Sequence, residues 1–253
     1  MIAAEHKIGK STFGASCPKP LFIQTEAGLE GIEVNAFPLV NTFEEFELQL
    51  DAVERLENGM FRTLVIDSVD WLERLIHRKV CQTHKVNDIA QIGFGKGHVA
   101  AETIWGEVLD RLTLINRDKK LMIVLLAHVI IQKFEDPERD GYDRIIPDLH
   151  KKSVNLLCEW VDILGYAALK IATVSKNDGP IKAKTTGERV LHLTPRGGYM
   201  AGNRYGLPDT VAFEWKAIAE QLKLKGKAGA VKQEVKKQAV QSDQPEVITV
   251  GVN

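Results

Sequence analysis

The tetrapeptide Gly9-Lys10-Ser11-Thr12 carries residue types that suit a bound phosphate chain. A glycine lets backbone N–H groups turn toward phosphate oxygens. A lysine reaches the β- and γ-phosphates, a serine hydroxyl can ligate Mg2+, and a following helix N-terminus adds partial positive charge. The full pattern is Gly-x-x-x-x-Gly-Lys-[Ser/Thr]. Here it falls on Ala4-Glu5-His6-Lys7-Ile8-Gly9-Lys10-Ser11, so Ala4 stands where the first glycine belongs. Glu5, His6, Lys7 and Ile8 would form the body of the loop, with Gly9, Lys10, Ser11 and Thr12 completing the ATP-binding set. The strand feeding the loop is cut to Met1-Ile2-Ala3, so either it is very short or the natural start lies upstream. The competing reading is a plain loop–helix junction.

A second group of residues ends apolar runs. Thr63-Leu64-Val65-Ile66 reads as a strand closed by Asp67, the Walker B arrangement, and Asp67 with Ser11 would then hold Mg2+. Without the upstream loop, Asp67 would read as a helix cap. Glu26 follows the Leu21-Phe22-Ile23 run, where a carboxylate can orient and deprotonate an attacking water. The alternative is an exposed loop glutamate. His128 ends the Leu121–Ala127 run and could touch the γ-phosphate and report hydrolysis, or be a capping or partly buried histidine.

The elements that must position these groups alternate between strand and helix. Thr42 to Glu57 has apolar residues at Phe43, Phe46, Leu50, Val53 and Leu56, with Thr42 as N-cap, Glu45 completing a capping box and Gly59 ending the helix. Val69–Val80, Ala100–Asn116, Lys152–Val161 and Ala212–Leu222 read as further helices, and Ile163–Val174 and Glu188–Leu193 as later strands. Residues 84–98 and 132–147 read as two long polar loops, the first mobile and glycine-rich. Together these predict an α/β fold with a mainly parallel central sheet covered by helices on both faces. Residues 1–224 would form the nucleotide-binding domain. Residues 225–253, Lys-, Gln- and Ala-rich, read as a flexible tail, with Val247–Val250 as a short docking strand. Lys227, Lys232, Lys236 and Lys237 there suit a soluble linker or a nonspecific DNA tether.

Composition narrows the class. A chain of 253 residues with 44% hydrophobic content can bury a full core. A net charge of -1 neither announces nor excludes nucleic acid, since local patches matter more. Cys17, Cys81 and Cys158 are far apart and without metal spacing, which reads as reduced thiols. No apolar run reaches the roughly 18 residues of a membrane span, and the N-terminus is not a secretory signal, so no membrane partner and a cytoplasmic location are expected.

Leu21-Phe22-Ile23-Gln24-Thr25-Glu26, Thr63–Val69 and Ile123–His128 follow the Gly-Lys-Ser-Thr loop in an order that resembles the core strands of RecA-type recombinases. More closely, the chain resembles phage-encoded AAA-type ATPases with a small RecA core, including the Sak-type single-strand annealing proteins, to which Gly202-Asn203-Arg204-Tyr205-Gly206-Leu207-Pro208 is also similar. The resemblance covers residues 1 to 222. It implies a RecA-like P-loop NTPase core that binds ATP and Mg2+, with catalytic roles for Lys10, Glu26, Asp67 and His128. His128 takes the place of a sensor that is usually glutamine or asparagine. It also implies that the loop around Gly93–Gly97 and the loop 132–152 face DNA.

For those loops, Phe94 offers a stacking face beside Lys96, and Lys133, Arg144, Lys151 and Lys152 add charge. Glu135, Asp136, Glu138, Asp140 and Asp143 lie among them, and the alternative is a solvated mixed-charge loop. Arg204, on a glycine-flanked turn, is either an arginine finger acting on a neighbouring subunit or a packing arginine. Trp71, Trp105, Trp160 and Trp215 sit in helical patterns and read as core or subunit contacts.

The expected function is ATP-dependent single-stranded DNA binding with annealing or homologous recombination, by a ring or filament of identical subunits in the host cytoplasm if the protein is phage-encoded. A single-strand DNA-binding protein is an expected further partner. The lack of separate RecA-like flanking domains weighs against full strand exchange. The alternatives are a nucleotide-controlled interaction protein with little hydrolysis, or another P-loop NTPase such as a small kinase.

Overall fold

The computed structural model describes residues 1–135, 140–174 and 182–224. Its strands are β1 (Ile2–Ala4), β2 (Pro20–Gln24), β3 (Asn35–Ala36), β4 (Thr63–Asp67), β5 (Met122–Ala127), β6 (Val129–Phe134), β7 (Tyr142–Pro147), β8 (Ile163–Val174), β9 (Lys182–His192), β10 (Gly202–Asn203) and β11 (Thr210–Ala212). Its helices are α1 (Lys10–Ala15), α2 (Phe43–Arg55), α3 (Val69–His84), α4 (Lys96–Lys119), α5 (Lys151–Trp160) and α6, over 215–224. The main sheet runs β11-β9-β8-β1-β5-β4-β2-β3. From β8 to β3 every pairing is parallel; β9 and β11 extend the edge antiparallel. The expected mainly parallel sheet of a P-loop NTPase core is therefore present, with β5 between the strand of the phosphate loop and the strand of Asp67.

Side-chain alternation along these strands builds two cores. Ala3, Ile23, Leu64, Ile66 and Leu125 point to one face and pack with α2, α3, α4 and α5. Ile2, Ala4, Phe22, Val65 and Leu126 point to the other and meet Phe13 of α1, Cys17 just after it and Ile218 of α6. Both faces being covered explains why these strands read as unbroken apolar runs. On the second face α1 lies very close to the sheet: a Cβ on Gly14 would stand 2.9 Å from Phe22 Cζ and 3.0 Å from Val65 Cγ1.

Several elements differ from expectation. The stretch 132–147, expected as a loop, instead contributes to two strands, β6 paired antiparallel with β7 from Val129↔Pro147 to Phe134↔Tyr142. Their β-branched residues Val129, Ile130, Ile131, Ile145 and Ile146 favour strand, and intervening charges hid the pattern. The stretch 84–98 is not an open loop throughout: it folds into 3-10 turns at Ile89–Gln91 and Gly93–Gly95, and α4 starts early, at Lys96. Residues 210–212 form β11, so the last helix begins at 215. Thr42 does cap α2, accepting from Glu45 N at 3.2 Å, but Glu45 returns its carboxylate to Asn41 N and the helix stops at Arg55, ahead of Gly59. The tail 225–253 lies outside the described residues. No described helix is long and apolar enough to cross a membrane.

Candidate nucleotide site

β1 is short but paired on both sides, with β5 and with β8. Ala4 is its last residue, fully buried and in register with Ala167. The bend therefore begins after Ala4, which explains why that position tolerates a side chain. The left-handed residues are Lys7 (φ 61) and Gly9 (φ 104), and Gly9 caps α1. A left-handed conformation is natural for glycine and costly for residues with a Cβ. Glu5, His6 and Lys7 are exposed along the rim.

Lys10, 6% exposed, turns its Nζ back over the loop to Glu5 O (3.1 Å) and Ala4 O (3.4 Å). Burial lowers its pKa, against the opposing charges of Glu26, Asp67 and Asp70. Ser11 Oγ donates to Asp67 Oδ2 at 2.6 Å, joining α1 to the end of β4. Asp67 is 3% exposed, and burial pushes its pKa up in spite of the Ser11 bond and the Lys10 charge. Its Oδ1 is buried with no hydrogen-bond partner. An unpartnered buried carboxylate oxygen is costly unless another group uses it. A serine hydroxyl beside a free carboxylate oxygen fits Mg2+, a hard cation that keeps most ligands as water and phosphate oxygen. Among the described residues, no group of three His, Cys, Asp or Glu could itself hold a metal ion.

The ends of β2, β4 and β5 are fastened to one another. Thr25 Oγ1 donates to Ser68 O (2.6 Å) and accepts from Ser68 N (2.7 Å), next to a cis Asp67–Ser68 peptide. Glu26, the next residue after Thr25, lies 3.8 Å from His128 Nδ1. Burial raises the Glu26 pKa while His128 opposes it. His128 is 5% exposed, and its ring stacks on His6 with centroids 4.0 Å apart. The His128 charge is the main cause holding the His6 pKa below its usual value.

Asp70, which the sequence reading passed over, organises this histidine. Its Oδ1 accepts from His128 N (3.0 Å) and its Oδ2 lies 2.9 Å from His128 Nδ1. Burial pushes the Asp70 pKa up, but the His128 bonds more than offset it and hold the carboxyl low. The same face of α3 continues through Glu73 and His77. Glu73 Oε2 accepts from His150 N (2.8 Å), and His77 meets His98 edge-on at 5.5 Å. His98 stacks parallel on His150 at 3.9 Å.

That stack joins two of the expected DNA-facing regions. Phe94 (φ 57) is fully exposed just before α4, and Lys96 begins that helix. Lys151 and Lys152 open α5; Lys151 is exposed, while Lys152 bonds Glu102 at 2.8 Å. Lys133 is exposed on β6, and Arg144 on β7 lies over Phe134 at 5.5 Å. Lys10, Ser11, Glu26, Asp67 and His128 thus converge at one end of the sheet, from which β6 and α3 both depart. Arg204 does not join them. It pairs with Asp162 (3.0 Å) and bonds Glu159 O at the opposite end, where β10 meets the start of β8.

These features define a P-loop ATPase-type core. The chain belongs to the family described as "AAA domain", whose model matches residues 1–205. It is also similar to the SPbeta prophage-derived uncharacterized protein YorG of Bacillus subtilis (strain 168), 27% identical over 112 residues, which is 42% of this chain. The match spans 35% of that protein, about a third of its length.

Proposed function

We propose that this chain is a phage-type ATPase that binds single-stranded DNA and promotes annealing or recombination as an assembly of identical subunits. The observation that carries the reading is the convergence of Lys10, Ser11, Asp67, Glu26 and His128 at the sheet end that also roots the β6–β7 hairpin and α3. The prophage relative supports the phage setting. Lys10 and the loop amides hold the β- and γ-phosphates. Glu26 accepts a proton from water as the water oxygen bonds the γ-phosphorus and the bond to the bridging oxygen breaks, releasing ADP and phosphate. A carboxyl with a raised pKa is a better proton acceptor than an ordinary one. Ser11 and Asp67 would hold Mg2+, which neutralises phosphate charge when bound. His128, held by Asp70, reads the γ-phosphate. Phe94 stacks on a base, and Lys96, Lys133, Arg144, Lys151 and Lys152 meet phosphates.

The test is ATP turnover with and without single-stranded DNA, and DNA binding by fluorescence anisotropy at low salt. Stimulated turnover and ATP-dependent binding are expected; no DNA binding at low salt with ATP present refutes the DNA part. A second reading, nucleotide control with little hydrolysis, draws on Lys10 being engaged by its own loop carbonyls. A Lys10→Ala protein that keeps all DNA binding would favour it.

A further inference from the structure

Arg189 projects from β9 onto the phosphate loop. Its Nη1 donates to Ile8 O at 3.1 Å across 181 residues of chain. A Cβ placed on Gly9 would lie 2.4 Å from the same Nη1 and 3.9 Å from Thr12 Cβ. The guanidinium thus touches the bend where the loop enters α1, on the side bordered by Thr12. Among the described residues it bonds only that neutral carbonyl. Its sequence neighbour Glu188 pairs instead with Lys170, at 2.8 Å. The side chain is exposed, and its backbone carbonyl accepts from Phe213 N (3.2 Å), so strand pairing does not depend on the guanidinium. A guanidinium has five N–H donors in a rigid fork suited to phosphate oxygens, and one bond to a carbonyl leaves most of them available. Charge-assisted bonds to phosphate are also stronger than a bond to a neutral carbonyl.

We propose that Arg189 is a second phosphate-binding cation of the nucleotide site, supplied by the same chain. It exchanges Ile8 O for the phosphate oxygens nearest Thr12, and so acts on ADP as well as ATP. Lys10 covers the inner side of the loop and Arg189 the outer side. The proposal rests on the nucleotide-binding reading above.

The experiment measures binding of methylanthraniloyl-labelled ATP and ADP to the wild type, Arg189→Gln, Arg189→Lys and Lys10→Ala, with a thermal melt of each. Arg189→Gln should weaken both nucleotides about tenfold, the loss of one charge-assisted bond. Its melting temperature in the absence of nucleotide should not change, and Arg189→Lys should recover part of the loss. Wild-type or tighter binding by Arg189→Gln overturns the proposal. So does a loss of affinity that comes with a lowered melting temperature and no recovery in Arg189→Lys, because that marks a structural residue. If the wild type binds neither analogue, the nucleotide-binding reading itself fails. If Lys10→Ala abolishes binding while Arg189→Gln is unaffected, only the Arg189 proposal falls.

Discussion

Asp70→Asn isolates the support beneath His128. The native carboxylate is 3% exposed and uses one oxygen for His128 N and the other for His128 Nδ1. Asparagine has the same shape but only one acceptor oxygen. If its oxygen stays on the backbone N–H, its NH2 faces Nδ1, which must then accept, and the imidazole proton moves to Nε2. If the amide flips, the buried backbone N–H of His128 faces another donor, at a cost of about 1–3 kcal/mol. Exchanging a charge-assisted bond for a neutral one costs about 1–2 kcal/mol in the first case. For a domain of this size that corresponds to a fall of roughly 2–8 °C in melting temperature. If the transition state uses the same histidine orientation, ATP turnover should fall about five- to thirtyfold. The assays are a thermal melt and steady-state phosphate release. An Asp70→Asn protein that melts within a degree of the wild type and turns over ATP at the same rate would refute this account of His128.

Four other expectations concern Glu26 and the proposed DNA-facing residues. Glu26→Gln should bind ATP normally yet lose at least about a hundredfold in turnover, the usual worth of a general base; phosphate release with a binding control checks it. Because burial raises the Glu26 pKa, activity should fall with decreasing pH at a higher pH than an ordinary glutamate would set, as protonation removes the base, and a pH–rate profile reads that limb. Phe94→Ala should weaken single-stranded DNA binding by about 1–3 kcal/mol with an unchanged salt slope, whereas Lys96→Ala should reduce the salt slope by about 1, both by anisotropy across a salt series.

How far the site could be read from sequence depended on how local its signals were. Thr63–Asp67 is buried throughout, and Leu121–His128 is buried except at the half-buried Met122 and Ile123, so each is an apolar run ending on a polar residue, and the two ends lie at the same end of the sheet. The β6–β7 hairpin escaped notice because most of β6 is exposed, so no buried face imposed an alternating pattern. β11 is three residues long, below the length at which alternation can be seen. Asp70 was legible in principle, as a carboxylate in the first turn of the helix that leaves the strand end at Asp67. Arg189 was not, because nothing in its neighbourhood marks a contact with a loop at the other end of the chain.

Gly14 sets a tolerance for the whole site. α1 is only six residues long, and at Gly14 it lies so close to the sheet that a Cβ would stand 2.9 Å from Phe22 and 3.0 Å from Val65. Alanine there would have to lift the helix or push aside two fully buried side chains, because both contacts would be at or below 3.0 Å. A lift of a few tenths of an ångström would carry Lys10 and Ser11 with it and stretch the 2.6 Å reach from Ser11 to Asp67. Misplacements of about 1 Å can cost catalysis a hundredfold even when every reacting group is retained. The smallest side chain in α1 thus acts as the shim that keeps the two halves of the nucleotide site in register.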